Sequence, residues 1–422
     1  MLWRPADIQA LPHGHDINHA LGAIEQLKKE IEEVVYAGGD PRGLFGDIEE
    51  LQAWISPMRR LPFEIISEIM VMSAQLVWWS PALLSRVCRF WRDVAIATPR
   101  AWSLMDLRSE PSCKFASLFF ERSSPCRLHF AVLGISPASQ MCYVDLFRRF
   151  SERIECLVLT QDSKELIRGE YKNLTRLSIN YPLTYIPLDY LAIKWFPNLQ
   201  FVDSGFSLHG IPDFMAVPSW KAPPILHLVV KTDFHSAWVA AIRMCAKTLR
   251  TLHVHVSHKG EGRGHPGFEL PELFHLAITT EVNRHVPWHF TAKTPSLKTF
   301  YTIEGDGIYS SAIDVRTITH LRSWEPISLA RYTELRRLHV YGYSIDPCPT
   351  ISFVEELCET YHTCPHLEAI VTSAWDVLDI EQITQTLIKR NRYTGVNLRI
   401  LPGGYPNDGW PDPTHLSVRG TD

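Results

Sequence analysis

The chain has 422 residues, 45% of them hydrophobic, and 42 Lys and Arg against 46 Asp and Glu give a formal net charge of -4. That length suits roughly two or three domains with large cores, and a near-neutral chain without a long basic run lacks the electrostatic footprint of a nucleic-acid or anionic-membrane binder. Nine scattered cysteines, never spaced C-x-x-C, read as reduced thiols of the cytoplasm or nucleus rather than a disulfide framework. No secretory h-region opens the sequence and no window reaches the ~18 apolar residues of a membrane span.

The first predicted element is a helix N-capped by Asp16, in which Ile17, Leu21, Ile24, Leu27, Ile31 and Val34 recur at helical spacing. The breaker GGDPRG, Gly38 to Gly43, separates it from a second series at Leu44, Ile48, Leu51, Trp54 and Ile55. The simplest reading is a helical hairpin over residues 1–57; a short coiled coil with another chain is the alternative.

From Pro57 to Leu107 large apolar residues crowd together, among them Trp78, Trp79, Leu83, Leu84, Val87, Phe90, Trp91 and Trp102. Pro62 and Pro81 suit helix starts, and Thr98-Pro99 ends a third helix. In RRLPFEIISEIMVM, Arg59 to Met72, Glu64, Ser67 and Glu68 form one narrow polar stripe, so this helix is expected to be covered from two directions. A three-helix segment of about fifty residues is too small to hide so many large side chains within itself, and an exposed apolar patch marks a partner site.

Beyond Leu107 the template L-x-x-L-x-L recurs. IECLVL, LTRLSI, ILHLVV, LRTLHV, LFHLAI and LRRLHV match it from Ile154, Leu174, Ile225, Leu249, Leu273 and Leu335; LQFVDS, LKTFYT, ITHLRS and LEAIVT, from Leu199, Leu297, Ile318 and Leu367, lose only the last apolar position. Most successive starts are spaced within the 20–29 residues of leucine-rich repeats, so an irregular solenoid of stacked strands is expected over 108–400, without the usual asparagine after most strands. Residues 401–422, rich in Pro, Gly and Asp, read as a loop or tail.

Chemistry-bearing motifs are sparse. G-x-S-x-G, the Walker A pattern, H-E-x-x-H and the EF-hand loop do not occur, and GEGRGHPG from Gly260 reads as a solvated loop rather than a phosphate cradle. His253 and His255 alternate onto one strand face with His258 after them, and His362, Cys364 and His366 form a second cluster; for both, ordinary surface or loop residues are favoured over a metal site. No catalytic residue, metal ligand or cofactor is expected, and the tryptophans are read as core.

Leu61 to Trp102 resembles an F-box: Leu61-Pro62, Glu64-Ile65, Ile69, Leu84, Val87-Cys88-Arg89, Trp91-Arg92, Ala95, and Thr98-Pro99 with Trp102 follow in the order seen in large fungal F-box-like families. That match covers about 45 of the 422 residues; the preceding hairpin and the following divergent repeats look like the same families. The resemblance implies an α + α/β chain with an N-terminal helical hairpin (1–57), a three-helix F-box (58–107), an irregular leucine-rich-repeat solenoid (108–400) and a tail (401–422). It implies a non-catalytic substrate receptor of a Skp-cullin-F-box ubiquitin ligase, in the cytoplasm or nucleus, whose F-box docks on a Skp-type adaptor while the repeats bind a substrate protein. Leu61, Pro62, Ile65, Ile69, Leu84, Val87, Cys88 and Trp91 would face the adaptor or support the face that does. Phe63 and the Trp78-Trp79 pair depart from the pattern, and the hairpin is an alternative place for them. A scaffold without ligase function, and an enzyme with an unrecognised site, are the competing classes.

Overall fold

A computed structural model describes residues 12, 14–107, 113–132, 137–159, 164–167, 169–179, 186–187, 191–209, 221–232, 237–256, 267–280, 291–302, 313–323, 329–340, 363–372, 384–385, 387–392, 395 and 398–402. Of the expected tail 401–422, residues 403–422 lie outside them, as do residues 260–266, His258 and His362. The chain divides into two compact units, Met1–Ala101 and Trp102–Asp422. No helix among the described residues is long and apolar enough to cross a membrane.

The first unit is helical. Helix α1 (Gly14–Tyr36) and helix α2 (Arg42–Ile55) share one apolar cluster built from Ala20, Ala23, Ile24 and Leu27 on α1 and Ile48, Leu51 and Trp54 on α2, with Ile31, Leu44 and Ile55 at its edge. Two expectations are corrected. Asp16 does not cap α1: the helix begins two residues earlier, at Gly14, and Asp16 sits in the first turn, where a carboxylate still suits the helix dipole. Leu21 points to solvent, and the small residues Ala20 and Ala23 take the inner face, which lets the helices approach closely. The helix ends at Gly38, whose φ of +73° strains any residue with a Cβ; the Gly38 and Gly39 N–H groups donate to the Val35 and Val34 carbonyls at 3.0 and 2.8 Å.

After a 3-10 turn over Pro57–Arg60 come α3 (Phe63–Leu76), α4 (Ser80–Leu84) and α5 (Arg89–Ile96). Ile66, Met70, Val71 and Ala74 of α3 and Trp91, Val94 and Ala95 of α5 are buried, as is Pro81 at the start of α4. Thr98 ties the segment shut, its hydroxyl 2.7 Å from the Val94 carbonyl and 3.0 Å from the Ser67 Oγ. The hairpin cluster contains no residue of α3 to α5.

The second unit opens with β1 (Leu104–Leu107), α6 (Cys113–Arg122), β2 (Leu128–Val132), α7 (Pro137–Phe150), β3 (Ile154–Leu159), α8 (Lys164–Ile167) and β4 (Arg176–Ile179). β5 (Ile186–Pro187), β6 (Phe201–His209), β7 (His227–Thr232), α9 (Ala237–Cys245), β8 (Thr251–Val256), β9 (Phe268–Glu269) and β10 (His275–Thr280) follow. The described strands end with β11 (Ala292–Lys293), β12 (Thr299–Thr302), β13 (His320–Ser323), β14 (Arg337–Val340), β15 (Ala369–Thr372) and β16 (Arg399–Pro402).

These strands form one parallel sheet in sequence order, β1-β2-β3-β4-β6-β7-β8-β10-β12-β13-β14-β15-β16, with β5 against β6 and a separate β9–β11 pair. The chain is therefore an all-helical unit followed by a large parallel sheet, an α + β composition. Residues 102–107 belong to the sheet unit rather than to the helical block in which the sequence placed them, because β1 pairs with β2.

The template residues explain the order. Its second apolar position forms one register line, Leu157, Leu177, Val202, Leu228, Leu252, Leu276, Phe300, Leu321, Leu338 and Ile370, every member buried. Its first position, from Ile154 through Leu174 and Leu249 to Leu367, is buried throughout as well. Just before each strand the backbone steps from repeat to repeat: Gln200 N–H donates to the Thr175 carbonyl at 2.9 Å, Leu226 to Gln200 at 2.8 Å, Arg250 to Leu226 at 2.8 Å and Phe274 to Arg250 at 2.8 Å. Each repeat thus satisfies the backbone of the one before it and covers its apolar row, which a single strand cannot do alone.

The candidate docking face

Leu61 lies half-buried at the end of the 3-10 turn, its N–H 3.5 Å from the Met58 carbonyl. Pro62 is exposed at the N-cap of α3, where a missing N–H costs nothing. Its carbonyl accepts from the Ile65 and Ile66 N–H groups at 3.1 and 3.2 Å. The pair therefore fixes where α3 begins, and with it which residues of α3 face outward.

One side of α3 is dry, with Ile66, Met70, Val71 and Ala74 buried. On another side, Ile65, Ile69, Met72 and Leu76 follow at i, i+4, i+7 and i+11, a second apolar stripe that the described residues of the helical unit leave largely open. Ile69 is half-buried, whereas Ile65, Met72 and Leu76 are 48%, 63% and 78% exposed. Of the two directions from which α3 is expected to be covered, the chain's own helices supply one.

α4 and α5 add to the uncovered surface. Leu83 and Phe90 are exposed, Leu84 is half-buried, and Val87, in the turn before α5, is 63% exposed. Cys88 is the exposed, extended N-cap residue of α5, and its carbonyl accepts from the Arg92 N–H at 3.1 Å. Trp91 is buried at 7% exposure beside Val94 and Ala95, so among the expected residues it supports the face and does not form it. Phe63 and Trp79 are exposed and Trp78 half-buried. Phe63 and Trp79 therefore add to the uncovered surface, and the hairpin cluster takes in none of the three.

The F-box resemblance points to Ile65, Ile69 and Val87 as facing the adaptor and leaves out Leu76, Leu83 and Phe90. The signal for Met72 and Leu76 was present as the continuation of the Ile65–Ile69 spacing. Around the apolar residues stand Arg86, Arg89 and Arg92 on one side of the sequence and Glu64 and Glu68 on the other, all exposed. The Glu68–Arg100 pair, 3.5 Å apart and open to water, contributes little to stability. An uncovered apolar surface rimmed by charge is the form of a protein docking site.

The sheet unit holds the histidines. His253 and His255 do share a face, as alternation requires, with ring centroids 4.0 Å apart, and the Thr279 hydroxyl stands between them, 2.9 Å from His253 Nε2 and 2.6 Å from His255 Nδ1. Burial, with His255 adding to it, pushes His253 down to about 3, so the ring is neutral and hydrogen-bonded. Cys364, at φ 54°, is buried with Sγ 3.4 and 3.6 Å from the Tyr332 and Leu329 carbonyls, while His366 is exposed. His258 and His362, the remaining members of the two clusters, lie outside the described residues, among which no group of three His, Cys, Asp or Glu is placed to hold a metal.

No protein-family model matches the chain, and a search of curated proteins finds none that matches it.

Proposed function

We propose that the chain is a non-catalytic substrate receptor of the Skp-cullin-F-box type, working in the cytoplasm or nucleus. The helices α3 to α5 dock on a Skp-type adaptor, and through it on a cullin-RING ligase. The sheet unit, read as an irregular leucine-rich-repeat solenoid, presents a substrate protein. The observation that carries the reading is the uncovered apolar surface of Ile65, Met72, Leu76, Leu83, Val87 and Phe90 on the segment that carries the F-box resemblance. A chain that leaves six large apolar side chains open on three short helices and the turn between two of them gains stability when a partner covers them.

The solenoid reading is supported by the sequential parallel strand order and by the single register line of buried template residues. Co-purification of the full chain with a purified Skp-type adaptor, and then with adaptor plus cullin, tests the proposal. A stable adaptor complex that recruits cullin is expected. Failure of the wild-type chain to hold the adaptor refutes docking, and adaptor binding without cullin favours a scaffold outside the ligase.

A further inference from the structure

The sheet face opposite the buried register line carries a row in which the paired residues are Arg176 on β4, Phe201 on β6, His227 on β7, Thr251 on β8 and His275 on β10. It continues with Thr299 on β12, His320 on β13 and Arg337 on β14. No carboxylate stands among these eight partners. The Arg176 guanidinium lies 4.9 Å over the Phe201 ring, whose centroid is 6.2 Å from that of His227. Arg250, one residue before the row, and Arg337 are exposed, and Arg399 extends the same register on β16.

Arginines stand beside the imidazoles of the row: after burial, His227 is pushed down by Arg176 and Arg250, and His320 by Arg337, with Glu368 pushing it the other way. The acids near the row have partners: Glu155 pairs with Arg127 at 3.2 Å and Glu368 with Arg336 at 3.4 Å, and Asp203, two residues after Phe201 on the same face, accepts from the Ser178 hydroxyl at 3.1 Å, with burial raising its pKa. His227 and His275 each bury Nδ1 without a hydrogen-bond partner. A bare acceptor nitrogen is the cheaper of the two buried states, so the proton sits on Nε2 of these half-buried rings.

We propose that this row binds an extended, carboxylate-rich segment of a partner protein laid across the strands. The inference rests on reading the sheet unit as the part that presents the substrate, and it supplies the chemistry of that substrate. Strands stand ~4.8 Å apart, so the seven steps from Arg176 to Arg337 span about 34 Å, room for about ten extended residues. Complementary charge fixes the register of such a segment, and Nε2–H and threonine hydroxyl groups satisfy its carboxylates. Neutral imidazoles and hydroxyls occupy most of the row and the chain as a whole carries a net charge of -4, which favours an acidic peptide over nucleic acid.

The experiment is a fluorescence-anisotropy titration of the full chain with a labelled oligo-glutamate peptide of about ten residues, with oligo-lysine and oligo-thymidylate as comparison probes. Oligo-glutamate binding that weakens with added salt is expected, with the joint change Arg250→Glu and Arg337→Glu weakening it about tenfold or more. Both arginines are exposed, so the variant should keep the wild-type melting curve, and Arg42→Glu on α2 of the helical unit should leave binding unchanged. Absence of oligo-glutamate binding, insensitivity to the double reversal, or tighter binding of oligo-lysine or oligo-thymidylate overturns the proposal. Adaptor capture by the same preparations separates the two readings: glutamate binding without adaptor capture sinks the receptor function alone, and adaptor capture without glutamate binding sinks this inference alone.

Discussion

Replacing Val87 by Asp places a charge in the middle of the face assigned to the adaptor. Val87 is 63% exposed in the free chain. Fully burying a valine is worth ~1.5–3 kcal/mol, so covering the exposed part is worth about 1–2 kcal/mol of binding. An aspartate there forfeits that gain and adds the cost of an unpaired carboxylate in an apolar interface, at least about 2 kcal/mol. Together the loss is about 3–4 kcal/mol, a hundredfold or more in Kd. Isothermal titration of the purified chain with a Skp-type adaptor reads this directly, and a melting curve recorded in parallel should stay put, because an exposed substitution changes stability by ~0.5 kcal/mol or less. Undiminished adaptor affinity refutes the reasoning. So does a loss of affinity accompanied by a large fall in melting temperature, which would place Val87 in the core.

Leu252→Ala, in the middle of the buried register line between Leu228 and Leu276, should cost ~2–5 kcal/mol in denaturant unfolding of the sheet unit, while Val87→Asp leaves that transition in place. On acidification the sheet unit should lose stability: His253, lowered from 6.5 to about 3, and His275, lowered to about 4, stay neutral when folded but take up protons when unfolded. Their stabilising contribution is complete above pH 6.5 and declines as the pH falls towards about 4 and 3, and His253→Gln should flatten that decline in pH-dependent melts. With a thiol reagent, Cys88 should label in the native chain, whereas Cys156, Cys245 and Cys364, buried and raised to about 11, 12 and 12, should react only after unfolding.

The sheet was legible in the sequence because its template residues sit in one register. The first and second positions of all ten template matches are buried, from Ile154 and Leu157 to Leu367 and Ile370. Even the partial matches obey it, since Thr302 and Ser323, the polar residues at the last position, are buried at 3% and 1% exposure. Of the strands on the sheet's sequential path, three escaped notice for local reasons. β1 follows Trp102, which closes the F-box pattern and so masks the apolar Met105 and Leu107. β2 carries a register shift between Leu128 and His129, so its leucine stands one place off the template. β16 has Asn397 where the template asks for leucine.

The docking face was only half legible. Pattern alone marks a residue as apolar and gives its spacing, and both sides of α3 satisfy that test. Which side is dry depends on where Trp91 and Val94 of α5 come to rest, a tertiary fact. The row of Arg176, His227, His275 and Arg337 was invisible for a related reason: its members are 24 to 62 residues apart in sequence, and only the register of successive strands brings them into line.

Hydrogen–deuterium exchange of the full chain with and without a Skp-type adaptor tests the central claim most directly. The account expects slower exchange from Leu61 through Trp91 on adding the adaptor, with the strands of the sheet unit unchanged. Unaltered exchange across Leu61 to Trp91, or protection confined to the residues from Trp102 onward, would contradict it.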